Sequence, residues 1–439
     1  MSLAGPSNYQ VLRMEKSDEN NPQSIGVEGK TISFNYYESI YSPMITANAT
    51  IVDTGDSVVD KRGNLATIKD GFPLEHDGTE TFKFKISNEN GTITSLKPLV
   101  VTASPVTLDQ STRQVLTLEL KSKFSIESSS NPRLSSYGIG TVDESVKKIL
   151  KENKLPFRNE NIEKSSTVDK IEGKNETPID LIFNLTRKCK PVKGAPGFFF
   201  YETQEGFNFR SIESLIEQGM NEYKENSSVR DVRTYKYFNN QRQDLGSNED
   251  DYNMVKMPIL KRDHNLFNAL KAGVYNVRKQ VKTLLTGEFI DKIVNLLDKD
   301  SSYLGSKPKK IVDQNENKLE KYCKTYSYVL APGNVDEGVS DKITNSPAEY
   351  EPQAMMRYSM LHSQVLEIQV PCNILLMAGQ VIKLEMENVT GGNKVLQREN
   401  QHRSGFYLIL HLSHHFDPKH SYTSMTLARD TYGLYTSSK

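Results

Sequence analysis

The chain has 439 residues, with 55 Lys+Arg against 55 Asp+Glu and a formal net charge of zero. A mass of 49.7 kDa suits several domains at about 100–200 residues each. Balanced charge excludes a general attraction for DNA or an anionic membrane, and 21 Tyr with 17 Phe exclude a disordered chain.

Residues 1–23 are polar, which predicts a mobile arm, and they lack the apolar core of a signal peptide. From residue 24 to 121, short alternating runs are separated by Gly, Asn and Asp. Thr31-Ile32-Ser33-Phe34-Asn35-Tyr36, Thr81-Phe82-Lys83-Phe84-Lys85-Ile86 and Val115-Leu116-Thr117-Leu118-Glu119-Leu120 alternate polar with apolar. Strands at this spacing predict an antiparallel sandwich or barrel.

The period then changes. Val142, Val146, Ile149 and Leu150 have helical spacing behind Thr141, a residue suited to an N-cap. Thr177-Pro178 with Ile179, Leu181, Ile182 and Leu185 predicts a second helix with proline in its first turn. Residues 197–210 read as a hairpin, and Ile212, Leu215 and Ile216 begin another helix. Residues 122–225 therefore form a small α+β module.

Strand-like segments return at 235–238 and 254–261. Residues 266–297 read as helical in parts, with Leu266, Ala269, Leu270 and Val274 on one face, and 298–350 as a polar surface loop. Alternation resumes at 365–370, 379–386, 405–416 and 422–430. This is a second β domain, interrupted by an insertion at 262–350.

The chemical candidates are few. His411, His414, His415 and His420, with His402 behind them, could supply zinc ligands, but on a strand His411 and His415 face away from His414. The plainer reading is a strand whose histidines pair with neighbours or meet solvent. Glu38, Asp53, Asp56 and Glu80 could be paired as general acid and base, yet nothing fixes their separation. The run 198–201 could stack nucleic-acid bases, but aromatics on both faces and few basic neighbours point to a strand buried on both sides. Lys121–Lys123 and Lys307–Lys310 are short basic clusters of the kind that solvated faces carry. Cys189, Cys323 and Cys372 make neither a disulfide framework nor a CxxC clip, which predicts a reducing compartment. The apolar run 374–378 is far shorter than the ~20 residues of a membrane span, and no phosphate-loop, nucleophile-elbow, HExxH or dinucleotide motif is present. These residues predict no catalytic site, metal or cofactor.

Three segments resemble the central baseplate hub of contractile-tailed bacteriophages, related in fold to the type VI secretion spike hub. The first contains Tyr37-Glu38-Ser39-Ile40, Ser42-Pro43 and Ile51-Val52-Asp53-Thr54. The second contains Phe200-Tyr201-Glu202-Thr203, Gly206-Phe207-Asn208-Phe209-Arg210-Ser211-Ile212 and Glu213-Ser214-Leu215. The third is Gly405-Phe406-Tyr407-Leu408-Ile409, His414-His415-Phe416 and 422–430 with its terminal Arg429-Asp430, preceded by Ala378-Gly379-Gln380-Val381-Ile382.

The resemblance implies a β-rich α+β fold: two related antiparallel β-barrel domains, an α+β module between them, and a helical and loop insertion in the second barrel. The expected boundaries are an arm at 1–23, a first barrel at 24–121, the module at 122–225, a second barrel at 226–261 and 351–433, the insertion at 262–350, and a tail at 434–439. It further implies a non-enzymatic homotrimer in the virion tail baseplate, assembled in the host bacterial cytoplasm and not inserted in a membrane. Its partners would be the central spike protein, the tail tube protein and neighbouring baseplate proteins, with DNA passing through the channel without specific binding. The alternatives are a β-rich tail adhesin, disfavoured by the absence of Trp, and a metal-dependent hydrolase using the C-terminal histidines.

Overall fold

The computed structural model describes residues 7–17, 23–59, 62–72, 81–97, 99–110, 112–130, 132–237, 253–284, 287–295, 301–308, 324–330, 347–387, 400 and 402–431. The first third is β1 (Tyr9–Ser17), β2 (Gln23–Gly26), β3 (Thr31–Ser39), β4 (Thr46–Thr54), the short β5 (Val58–Val59) and β6 (Leu65–Ala66), α1 (Ile68–Gly71), β7 (Thr81–Asn88), β8 (Ile93–Ser95), β9 (Leu99–Ala103), β10 (Val106–Gln110) and β11 (Arg113–Ser122). Apolar residues alternate along β3, β4 and β7 and point into one core holding Phe34, Tyr36, Ile51, Phe82, Phe84, Leu116 and Leu118.

The predicted arm is corrected over its described part. β1 pairs antiparallel with both β2 and β7, and Tyr9, Val11 and Met14 enter the first core. A bulge between Val11 and Arg13 makes the buried spacing two and then three, which hides the strand from a period-two reading. The rest of the arm, 1–6 and 18–22, lies outside the described residues, as does the tail at 434–439.

The module contains α2 (Lys123–Ser129), β12 (Arg133–Thr141), α3 (Val142–Glu152), β13 (Phe157–Ile162), β14 (Val168–Glu176), α4 (Pro178–Thr186), β15 (Phe198–Thr203), β16 (Gly206–Ser211), α5 (Ile212–Glu225) and α6 (Ser227–Val232). Thr177 caps α4 by accepting from the Asp180 amide, and Ser211 caps α5 in the same way through Ser214. The β15–β16 hairpin is buried on both faces. Phe198 and Phe200 join a core with α3 and α4, while Phe199 and Tyr201 join one with α5 and the last strands. α5 lies so close to the following sheet that a Cβ on Gly219 would overlap the Val381 side chain.

The remainder is β17 (Thr234–Tyr237), β18 (Ile259–Arg262), α7 (Leu266–Ala272), β19 (Asn276–Thr283), β20 (Phe289–Asn295), β21 (Lys324–Leu330), α8 (Pro347–Leu361), β22 (Gln364–Pro371), β23 (Val381–Met386), β24 (Gly405–Phe416) and β25 (Ser421–Arg429). Two expectations change here. The helical reading of 266–297 holds only to Ala272, where Gly273 at φ 74° ends α7; β19 and β20 then form a hairpin. Val277 and Val281 are both buried, and a spacing of four fits one face of a helix and one face of a strand equally. Within the expected loop at 298–350, 324–330 is a strand parallel to β19.

β22, β25, β24 and β23 are joined by antiparallel ladders, and β17 adds to β23 in parallel. Residues 253–256 then run between β17 and β22: Lys236 N–H donates to Asn253 O, Val255 N–H to Lys236 O, and Lys256 N–H to Gln369 O. The hydrogen-bonded path therefore returns to its starting strand around a core of Leu366, Ile368, Leu384, Tyr407, Met425 and Leu427. The two β regions are continuous, because β24 pairs with β23 over 405–408 and, past a bulge, with β3 over His411–Phe416. One 15-stranded sheet results.

Candidate assembly joints and the histidine strand

Two buried ionic clusters fix how the module and the two β regions meet. Glu38, on β3, is buried at the point where all of them touch. One carboxylate oxygen accepts from Gln204 N–H in the β15–β16 turn at 2.9 Å and the other from Ala378 N–H ahead of β23 at 3.1 Å. Burial pushes its pKa up to about 8 against the pull of those two amides. Glu202, on β15, reaches into the first β region, where it accepts from Ile45 N–H and Ser122 Oγ and pairs with Lys97 Nζ. Gly379, at φ 85°, sits where a Cβ would overlap the Tyr201 hydroxyl, so the joint needs glycine for both conformation and space.

The second cluster centres on Arg357 of α8, fully buried. It donates to Glu213 of α5 at 2.8 Å, to Asp430 at 2.9 Å and to Ser302 O at 2.8 Å. Burial works against its charge, but Glu213 and Asp430 outweigh that and hold its pKa above the ordinary value. The carboxylates also take backbone donors: Glu213 accepts from Ser302 N–H and Asp430 from Leu304 N–H. Segment 301–305 of the insertion is thereby tied to α5, α8 and the end of β25. Beside it, Arg429 donates to Ser404 O and lies over the Tyr407 ring. Arg429-Asp430, marked by resemblance, is thus a joint residue pair. Sequence reasoning missed Arg357 and Lys97 because their partners lie at sequence separations such as 144 and 73, with no local pattern to reveal them.

The structure does not gather the C-terminal histidines. His411 lies against the Tyr41 ring, His415 binds Asn35 Oδ1, His414 is buried beside Tyr36 with Nδ1 on Thr423 Oγ1, and His402 and His420 are exposed. Among the described residues no group of three His, Cys, Asp or Glu is placed to hold a metal ion. The paper carboxylates are likewise apart. Asp53 is buried and accepts from Ile68 N–H and Gln114, Asp56 accepts from Thr54 in a surface turn, and Glu80 lies outside the described residues. Lys121 and Lys123 are not buried, and Lys309 and Lys310 fall outside the described residues. No helix among the described residues is long and apolar enough to cross a membrane.

His414 gives a pH prediction. Burial lowers its pKa from 6.5 to about 4, so the folded state resists protonation. The associated stability is fully present above pH 6.5 and is lost as pH falls toward 4, about 3 kcal/mol in all. Glu38 has the opposite sign, losing stability as pH rises from 4.5 to about 8, so the His414 effect is read as a difference between proteins. In urea denaturation from pH 7 to 4, wild type is expected to lose about 3 kcal/mol more than His414→Phe. Equal losses would contradict it.

No family model matches the chain, and no curated protein matches it either. Solved structures do. The tail protein from Neisseria meningitidis MC58 superposes with a TM-score of 0.51 at 8% identity, covering 96% of this chain and 97% of its own. The fold of this chain is that of the Neisseria tail protein over nearly the whole length of both. The 43 kDa tail protein of prophage MuSo2 from Shewanella oneidensis gives a TM-score of 0.49 at 10% identity, covering 95% and 98%. An E. coli type VI secretion component with structural similarity to phage T4 tail proteins gives 0.43 at 11% identity, covering 92% and 75%. The structures that this β-rich fold is similar to include phage tail proteins and a type VI secretion component.

Proposed function

We propose that this chain is the structural hub of a contractile-tail baseplate, built on two related β-barrels. The observation that carries the reading is a repeated pairing pattern. In the first β region the antiparallel ladders run β3–β4, β4–β11, β11–β9 and β9–β7; in the second they run β18–β22, β22–β25, β25–β24 and β24–β23. The segment ahead of each first strand pairs onward in the same way, β2 to β1 and 253–256 to β17. The repeat is imperfect, since β17 runs parallel to β23 whereas β1 is antiparallel to β7. The shared fold with a tail protein supports the same reading.

Two like barrels per chain give a trimer six similar units around its axis. Such a ring presents a threefold surface to a central spike and a near-sixfold surface to the tail tube. Matching symmetry, rather than chemistry, is then its task, and the buried joints around Glu38 and Arg357 hold the barrels at the angle the ring needs. Neighbouring baseplate proteins would bind its outside, and DNA would pass its bore without specific contacts in the virion tail assembled in the host cytoplasm.

Mixing the purified chain with the spike and tube proteins of its own tail is expected to give one species containing all of them on size-exclusion chromatography. Separate elution of each protein would contradict the proposal.

A further inference from the structure

The two β regions of one chain meet strand to strand. The junction is made by β3, the first strand of its ladder series, lying antiparallel against the C-terminal half of β24. Each of these strands has a counterpart whose matching edge carries no strand among the described residues. The counterpart of β3 is β18, which pairs with β22 on one side. The counterpart of β24 is β9 continued through Ser104 and Pro105 into β10. Its first part meets β7 as β24 meets β23, and β10 then pairs with β11 on one side.

Resting on the hub reading above, we propose that the outer edge of β18 pairs antiparallel with the outer edge of β10 in a second copy of this chain. The interface would repeat the β3–β24 junction between molecules. β18 ends one limb of the sheet order and β10 lies beyond the β3–β24 junction, attached to β11, so the two edges belong to different β regions. A head-to-tail contact of two different edges generates a ring when its rotation closes. Pairing would also cover strand edges that otherwise invite aggregation. The exposed apolar side chains fit this occupant: Leu108 on β10 is 80% exposed, Ile259 on β18 is 44% exposed and Met257 just before it is 58% exposed.

Leu108→Asp and Ile259→Asp place charge on already exposed positions, so both variants are expected to fold. Each should lower the solution mass about threefold, from trimer to single chain, with the far-ultraviolet circular dichroism spectrum of the folded chain retained. As a second measurement, Thr107→Cys and Ile259→Cys chains, each carrying Cys323→Ser, are mixed and oxidised, because the register of the β3–β24 junction carried over to the new pair sets 259 opposite 107. Cys189 and Cys372 are buried and remain in place. A disulfide-linked pair formed in the mixture, above the level of either chain alone, supports the proposal. Trimers that persist in both Asp variants overturn this interface and leave the hub reading standing; a wild-type chain that is monomeric at every concentration overturns both.

Discussion

Arg357→Met is expected to destabilise the fold by about 3–5 kcal/mol, since it leaves two buried carboxylates without their cation. Glu213 and Asp430 lie within 2.8 and 2.9 Å of the guanidinium, and both also hold backbone amides of 301–305. The loss should therefore spread to the insertion, freeing Leu304 from the core it shares with Ile212, Leu215 and Leu361. Urea denaturation with a parallel proteolysis assay reads both effects. The triple change Arg357→Met, Glu213→Gln and Asp430→Asn should recover part of the loss, because no buried charge is then uncompensated. An unchanged urea midpoint in Arg357→Met would show that the cluster does not hold the joint.

Phe200→Asp is expected to abolish soluble folding. Phe200 is fully buried in the module core, with its ring stacked 5.5 Å from Phe207, and a carboxylate there would have neither a cation nor water. Phe200→Leu, which keeps an apolar side chain, should fold with a cost of about 1–3 kcal/mol from the cavity it leaves. Circular dichroism and size-exclusion chromatography distinguish the cases. A folded, monodisperse Phe200→Asp protein would contradict the placement of β15 between two cores.

Much of the β architecture was legible because its strands obey a period of two. Residues 364–371 alternate in burial at every position, and 198–201 read as buried on both faces for the right reason. Where the period is ambiguous or broken, the reading fails for identifiable causes. A bulge concealed β1, and the helical spacing of Leu266, Ala269, Leu270 and Val274 was carried on past Gly273, where the chain turns into a hairpin. The joints were less accessible. Glu38 was noticed as a carboxylate, but its partners Gln204 and Ala378 lie 166 and 340 residues away. Such pairs become visible only once the chain has folded, whereas hydrophobic alternation is local.

Light scattering on the purified full-length chain tests the central claim most directly, since a hub that matches a threefold spike to a sixfold tube has to be a trimer. The account predicts a mass near three times 49.7 kDa. A mass of 49.7 kDa at every concentration would contradict it.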